Sequence, residues 1–124
     1  MFSHMMVGSN DIERSKKFYD ATFKAMGGRE AIVDPKGRLM YVHNGGAFLV
    51  TQPIDGEPAT HGNGSTVGFA MTPEQADAWH AAGVANDGTA IEDPPGERPG
   101  SGMYLAYLRD PDGNKLCALH RIQS

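Results

Sequence analysis

A chain of 124 residues can bury one core of its own but hardly two, so a single domain is expected. Eleven basic residues against fifteen acidic ones leave a net charge of −4, and the charges are scattered rather than gathered in runs. That argues against nucleic acid as a partner, and no apolar stretch approaches the length of a membrane span. A single cysteine forbids an intrachain disulfide, and the first residues lack a basic leader, so a cytoplasmic location is expected.

Phe2 to Gly8 is a short apolar run closed by a turn signal, and it reads as a strand with Phe2, His4 and Met6 on one face. Asn10 with Glu13 three residues on has the spacing of a capping box. Ile12, Ser15, Tyr19, Phe23 and Met26, with Phe18 beside them, then make a helical stripe that Gly27-Gly28 stops. Three strand-like runs follow, Arg29 to Val33, Arg38 to His43 and Ala47 to Gln52, separated by the turns Pro35-Lys36-Gly37 and Asn44-Gly45-Gly46. The segment after Pro53, as far as Gly62, is polar and reads as a linker.

The second half follows the same plan. Ser65 to Met71 reads as a strand, and Thr72-Pro73-Glu74-Gln75 combines a capping box with proline at the first helical position. Ala76, Trp79 and Ala82 lie at helical spacing, with Gly83 as the expected stop. Thr89 to Ile91 is a candidate edge strand and DPPGERPGSG a loop; Met103 to Leu108 and Lys115 to Ile122 flank the turn Asp110-Pro111-Asp112-Gly113 as a hairpin. Each half therefore reads βαβββ, module 1 over about 2–53, a linker over 54–62 and module 2 over about 63–122. The class is α+β, and a cleft between the modules is the natural place for a ligand.

Three pieces, HMMVGSNDIERSKKFY, GNGSTVGFAM and YLAYLRDPDGNKL, together resemble the vicinal oxygen chelate superfamily, which holds glyoxalase I, extradiol dioxygenases and the fosfomycin and bleomycin resistance proteins. The resemblance implies two βαβββ modules forming a cup-shaped mixed sheet, often completed in a homodimer. In metal-dependent members four side chains in the cup hold a divalent ion. Carried over residue by residue, those positions fall on His4, Leu49, Thr66 and Cys117.

Leucine cannot coordinate, threonine coordinates poorly, and cysteine offers soft sulfur where a hard carboxylate is wanted. No metal and no other cofactor is therefore expected. The expected function is metal-free binding of a small molecule in the cleft. The alternative is a glyoxalase-like lyase or isomerase with His4 as base, Cys117 assisting and a divalent ion held weakly if at all; a dioxygenase fits less well. The same resemblance brings the loop of Arg98 to the cleft border, where its guanidinium could clamp an anion. Arg121 shares a strand face with Cys117. Tyr104 and Tyr107 point to opposite faces, so at most one lines the cup, and Tyr104 is carried here as the ligand-facing candidate. Leu49 and Thr66 complete the expected lining.

Overall fold

The computed structural model describes residues 1–122. Its elements run β1 (His4–Gly8), α1 (Ile12–Ala25), β2 (Ile32–Val33), β3 (Leu39–His43), β4 (Gly46–Thr51), β5 (Val67–Ala70), α2 (Pro73–Ala85), β6 (Thr89–Ala90), β7 (Gly96–Arg98), β8 (Met103–Arg109) and β9 (Lys115–Arg121). One sheet has the order β1-β4-β3-β2. The other has β5-β9-β8-β6, with β7 also paired to β8. In each module the first strand lies parallel to the last and the other pairings are antiparallel. This is the expected repeat, with one difference. The second strand of module 2 is broken into β6 and β7, which pair with opposite ends of β8. The interruption falls at Pro94-Pro95, where proline has no N–H to give to a ladder.

Both helices form for reasons visible in the chain, though not always at the expected residue. The cap of α1 is Asp11, whose carboxylate accepts from the Arg14 amide at 3.1 Å. Asn10 is drawn away by the linker: its side chain accepts from the Ala59 amide at 2.7 Å and donates to the Ala59 carbonyl at 3.2 Å. The box at Thr72 and Gln75 forms as expected. Gly83, however, does not stop α2. It lies inside the helix where a Cβ would come within 2.4 Å of Leu108 Cδ1 and 3.2 Å of Phe18 Cε1, so its role is close packing.

Pleating sorts each sheet into two faces. Val7, Phe48, Val50, Leu39 and Tyr41 of the first sheet, and Phe69, Leu116, Ala118, Ala106 and Leu108 of the second, turn toward the helices. The two helix-facing surfaces share one core with Phe18, Tyr19, Phe23 and Trp79. Phe48 and Phe69 meet directly, with ring centroids 5.3 Å apart and planes at 79°. The opposite surface of each sheet is directed outward from that core and has no helix over it.

The modules are also latched by polar groups. The buried carboxylate of Asp110, in the turn between β8 and β9, accepts from the Tyr19 hydroxyl at 2.5 Å, from Asn114 Nδ2 at 2.8 Å, and from the amides of Asp112 and Asn114 at 2.9 Å each. Asp112 accepts from the Asn10 amide at 2.9 Å and from Ser15 Oγ at 3.2 Å. Because the Ser15 proton is committed there, Ser9 Oγ donates to Ser15 Oγ, 2.6 Å away. Asn114 Nδ2 reaches back to the Gly8 carbonyl at 3.1 Å. The DPDGN turn of module 2 thus closes on the start of α1 in module 1, which is why those two stretches of sequence belong together.

Candidate functional site: two outward sheet faces

On the outward face of the first sheet the register aligns Ile32, Met40, Leu49 and Met6 in one row, and Val42, Ala47 and His4 in the next. Leu49 is packed among the methionines and 8% exposed, whereas Val42 and Ile32 are 59% and 61% exposed. His4 is exposed at the start of β1, and its Nδ1 lies 2.8 Å from Ser3 Oγ. An imidazole held at Nδ1 presents Nε2 to solvent.

The outward face of the second sheet carries Cys117 between Gly68 and Tyr107. Cys117 is 5% exposed and is a free thiol. Burial pushes its pKa up; a hydrogen bond with Tyr107 opposes the shift, as do the charges of Lys115 and Arg98, while Glu92 adds to it. The sulfur therefore stays a thiol near neutral pH, an inert state for a nucleophile. Burial likewise raises the Tyr107 pKa. Lys115 Nζ stands 5.0 Å above the Tyr107 ring and pairs with Glu92 at 2.5 Å.

The structure brings Cys117 to Tyr107, and His4 to Ser3; neither is the other's hydrogen-bond partner. Leu49 shares the face of His4, and Thr66, exposed just ahead of β5, precedes Gly68 by two residues and so takes the face of Cys117. The four positions carried over from the family therefore split two and two between the sheets. Among the described residues no three His, Cys, Asp or Glu side chains gather as a metal cluster would require.

Of the remaining candidates, Tyr104 and Arg98 sit differently from the expectation, while Arg121 is on the expected face. Tyr104 lies on the helix-facing side: β8 pairs it with His120, and its hydroxyl donates to Asp77 on α2 at 2.6 Å. Its odd-numbered neighbour Tyr107 takes the outward place instead. Arg98 is spent within its own loop, donating to the carbonyls of Asp93 at 3.0 Å, Pro94 at 2.9 Å and Gly96 at 3.1 Å, where it braces the double-proline break. Arg121 is exposed at the end of β9, opposite Met103 on the face of Cys117. Lys115 and Glu92 were not foreseen, and Tyr107 was the alternative to Tyr104. The choice between the tyrosines turns on loop length: five residues, 110–114, separate the paired Arg109 and Lys115 and so set Tyr107 opposite Cys117, one residue more than the turn read at 110–113.

Residues 1–118 match the Glyoxalase/Bleomycin resistance protein/Dioxygenase superfamily. A glyoxalase/bleomycin resistance protein from Albidiferax ferrireducens T118 is 60% identical, with a TM-score of 0.91 and 98% of each chain covered. A glyoxalase-related enzyme from Fulvimarina pelagi is 20% identical with a TM-score of 0.74, covering 96% of this chain and 86% of that one. The fosfomycin resistance protein FosX from Mesorhizobium loti shares 18% identity and a TM-score of 0.69 over 96% and 90% of the two chains. No curated protein matches. The chain belongs to the glyoxalase/bleomycin resistance/dioxygenase superfamily, and its two-module α+β fold is the fold of that family.

Proposed function

We propose that this chain is a cytoplasmic, small-molecule-binding member of its superfamily, that its cup is completed by a second copy of itself, and that it works without the divalent metal of the family's enzymes. The observation that carries the reading is the bare apolar face formed by Ile32, Met40, Leu49, Met6 and Val42. Sheet faces of this kind in soluble proteins are covered by something, and a row of methionines and branched aliphatics suits a mobile apolar ligand. In a two-fold dimer the face of one protomer would stand over the Tyr107 and Cys117 face of the other, making a cup with an apolar wall and a polar one.

The donor set supports a metal-free site. Leu49 has no lone pair to give, Thr66 is a weak neutral ligand, and burial keeps Cys117 protonated. Only His4 remains as an ordinary ligand, and a divalent ion held by one imidazole is held loosely. No helix among the described residues is long and apolar enough to cross a membrane.

Two measurements test this. Sedimentation equilibrium is expected to give a dimer, with Leu49→Asp driving it to monomer by placing a charge in the buried row. A thermal-shift screen over thiol conjugates, catechols, aromatic drugs and small keto acids is expected to find ligands that raise the wild-type melting temperature but not that of Leu49→Asp. A wild-type monomer with no stabilising compound would overturn the proposal.

A second reading keeps the free Nε2 of His4 as a general base in a glyoxalase-like isomerisation of a hemithioacetal. It requires turnover that His4→Ala abolishes while ligand binding persists. Full activity in His4→Ala removes it.

A further inference from the structure

A further hollow in the described chain is distinct from the apolar row of Leu49 and from the Tyr107 and Cys117 face. It lies in the gap between β1 and β5, each of which is an unpaired edge of its sheet, with Phe23, Tyr41, Phe48 and Phe69 lining its helix side. Its volume is about 260 Å³. An apolar cavity of roughly 150 Å³ is already enough to hold benzene, so a substituted or fused-ring aromatic fits this one.

The floor is aromatic. Phe69 meets Phe48 at 5.3 Å and 79°, and Phe23 at 5.5 Å and 75°, so edges and faces of three rings are offered together. Tyr41 stacks flat on Phe23 at 4.4 Å, but its hydroxyl is committed to Asp20 at 2.8 Å and contributes only its ring. The mouth is polar in one sense only. His43 and Asn44, from the turn between β3 and β4, stand on one side, with Ser3 and His4 on the other. In a chain with fifteen acidic residues, none of the lining side chains is a carboxylate, and none is a lysine or arginine. Imidazole and amide N–H groups over an aromatic floor, with no anion to repel a guest, suit a carboxylate on a flat ring.

We propose that this hollow is a second binding site that meets the cup only at the strand edges of His4, Ala47 and Gly68, taking a small aromatic carboxylate with its ring against Phe48 and Phe69 and its carboxylate at His43 and Asn44. The site stands on its own geometry and does not depend on the cup binding anything.

The test uses 2-naphthoate as probe, with 2-naphthalenemethanol as its uncharged counterpart, followed by calorimetry and by NMR of the histidine ring protons. One equivalent of naphthoate per chain is expected to bind and to shift the His43 resonances, with the alcohol weaker by about tenfold, the worth of one charge-assisted hydrogen bond. Gly46→Leu should abolish binding: its Cβ has room, the nearest atom being the His43 carbonyl oxygen at 3.8 Å, and the side chain grows into the hollow beside Phe48. His43→Phe keeps the aromatic bulk and should weaken naphthoate to the level of the alcohol. Leu49→Asp and Tyr107→Phe, which alter the outward faces, should leave the affinity unchanged. Naphthoate that fails to bind folded wild-type protein at millimolar concentration overturns the proposal, as does binding that survives Gly46→Leu. A Gly46→Leu variant that loses dimer mass while wild type ignores naphthoate would assign the hollow to a second copy of the chain and would equally overturn it.

Discussion

Tyr19→Phe removes one hydroxyl and nothing else from the latch between the modules. The ring would stay in place, held edge-on to Phe18 at 4.8 Å and tilted against Phe48 at 5.0 Å, so the apolar burial is unchanged. What is lost is the donor to Asp110, whose residue is 3% exposed and cannot recruit water freely. Burial raises the Tyr19 pKa well above its usual value, with the Asp110 charge adding to the shift, so the hydroxyl is protonated and donating at any ordinary pH. A hydrogen bond to a charged group contributes about 1.5–3 kcal/mol, and three donors remain on Asp110 to limit the damage. The expected loss is therefore about 2 kcal/mol, or roughly 6–12 °C in Tm for a chain of this size. Urea titration followed by tryptophan fluorescence measures it, since Trp79 is buried in the same core. A change below about 0.5 kcal/mol would show that the Tyr19 contact adds nothing to the latch between the modules.

Gly83→Ala should destabilise by about 1–3 kcal/mol despite alanine's better helix propensity, because the added methyl would press on Leu108 and Phe18; thermal unfolding reads it, and a gain in Tm would refute the packing role. Asp20 accepts from Lys16, the Ala31 amide and the Tyr41 hydroxyl; burial alone would raise its pKa, but these three bonds together hold it below the usual carboxylate range. A depressed carboxylate contributes stability above its unfolded pKa, near 4, and loses it as the pH falls through its folded value, so Asp20→Asn should flatten the acid limb of the stability curve below about pH 4. Identical acid limbs for the two proteins would contradict this. Cys117 should react with a disulfide reagent far more slowly than a free thiol at pH 8 and fully on unfolding; rapid labelling of the native protein would place the thiol outside the buried, protonated state described above.

The repeat was legible because hydrophobic spacing and turn residues act locally. Phe18, Tyr19 and Phe23 form the buried stripe of α1 at the spacing read from the chain, and Thr72 with Gln75 caps α2 as its residues demand. What misled was competition between distant segments. Asn10 has the chemistry of a cap but is taken by Ala59, forty-nine residues on. Gly83 has the chemistry of a stop, yet Leu108 and Phe18 need its missing side chain. At the site, alternation put Cys117 and Arg121 on one face, but the four-residue turn read at 110–113 would set Ala106 opposite Cys117 and favour Tyr104, whereas the five-residue loop of the structure sets Tyr107 there. Arg98 could not be placed that way. Nothing in DPPGER shows that three carbonyls of its own loop take up the guanidinium, because the break between β6 and β7 creates them. Nor could periodicity disclose that His4 and Cys117 occupy different sheets' outward faces, since each alternates correctly within its own strand.

We propose that the inward groups of the cup cannot grip a cation. Calorimetric titration of chelator-treated protein with manganese, nickel and zinc tests that most directly. No saturable binding is predicted for manganese or nickel, with at most weak association of zinc to exposed histidine. One tightly bound equivalent per chain, lost in His4→Ala, would contradict the account and make the chain a metalloenzyme candidate.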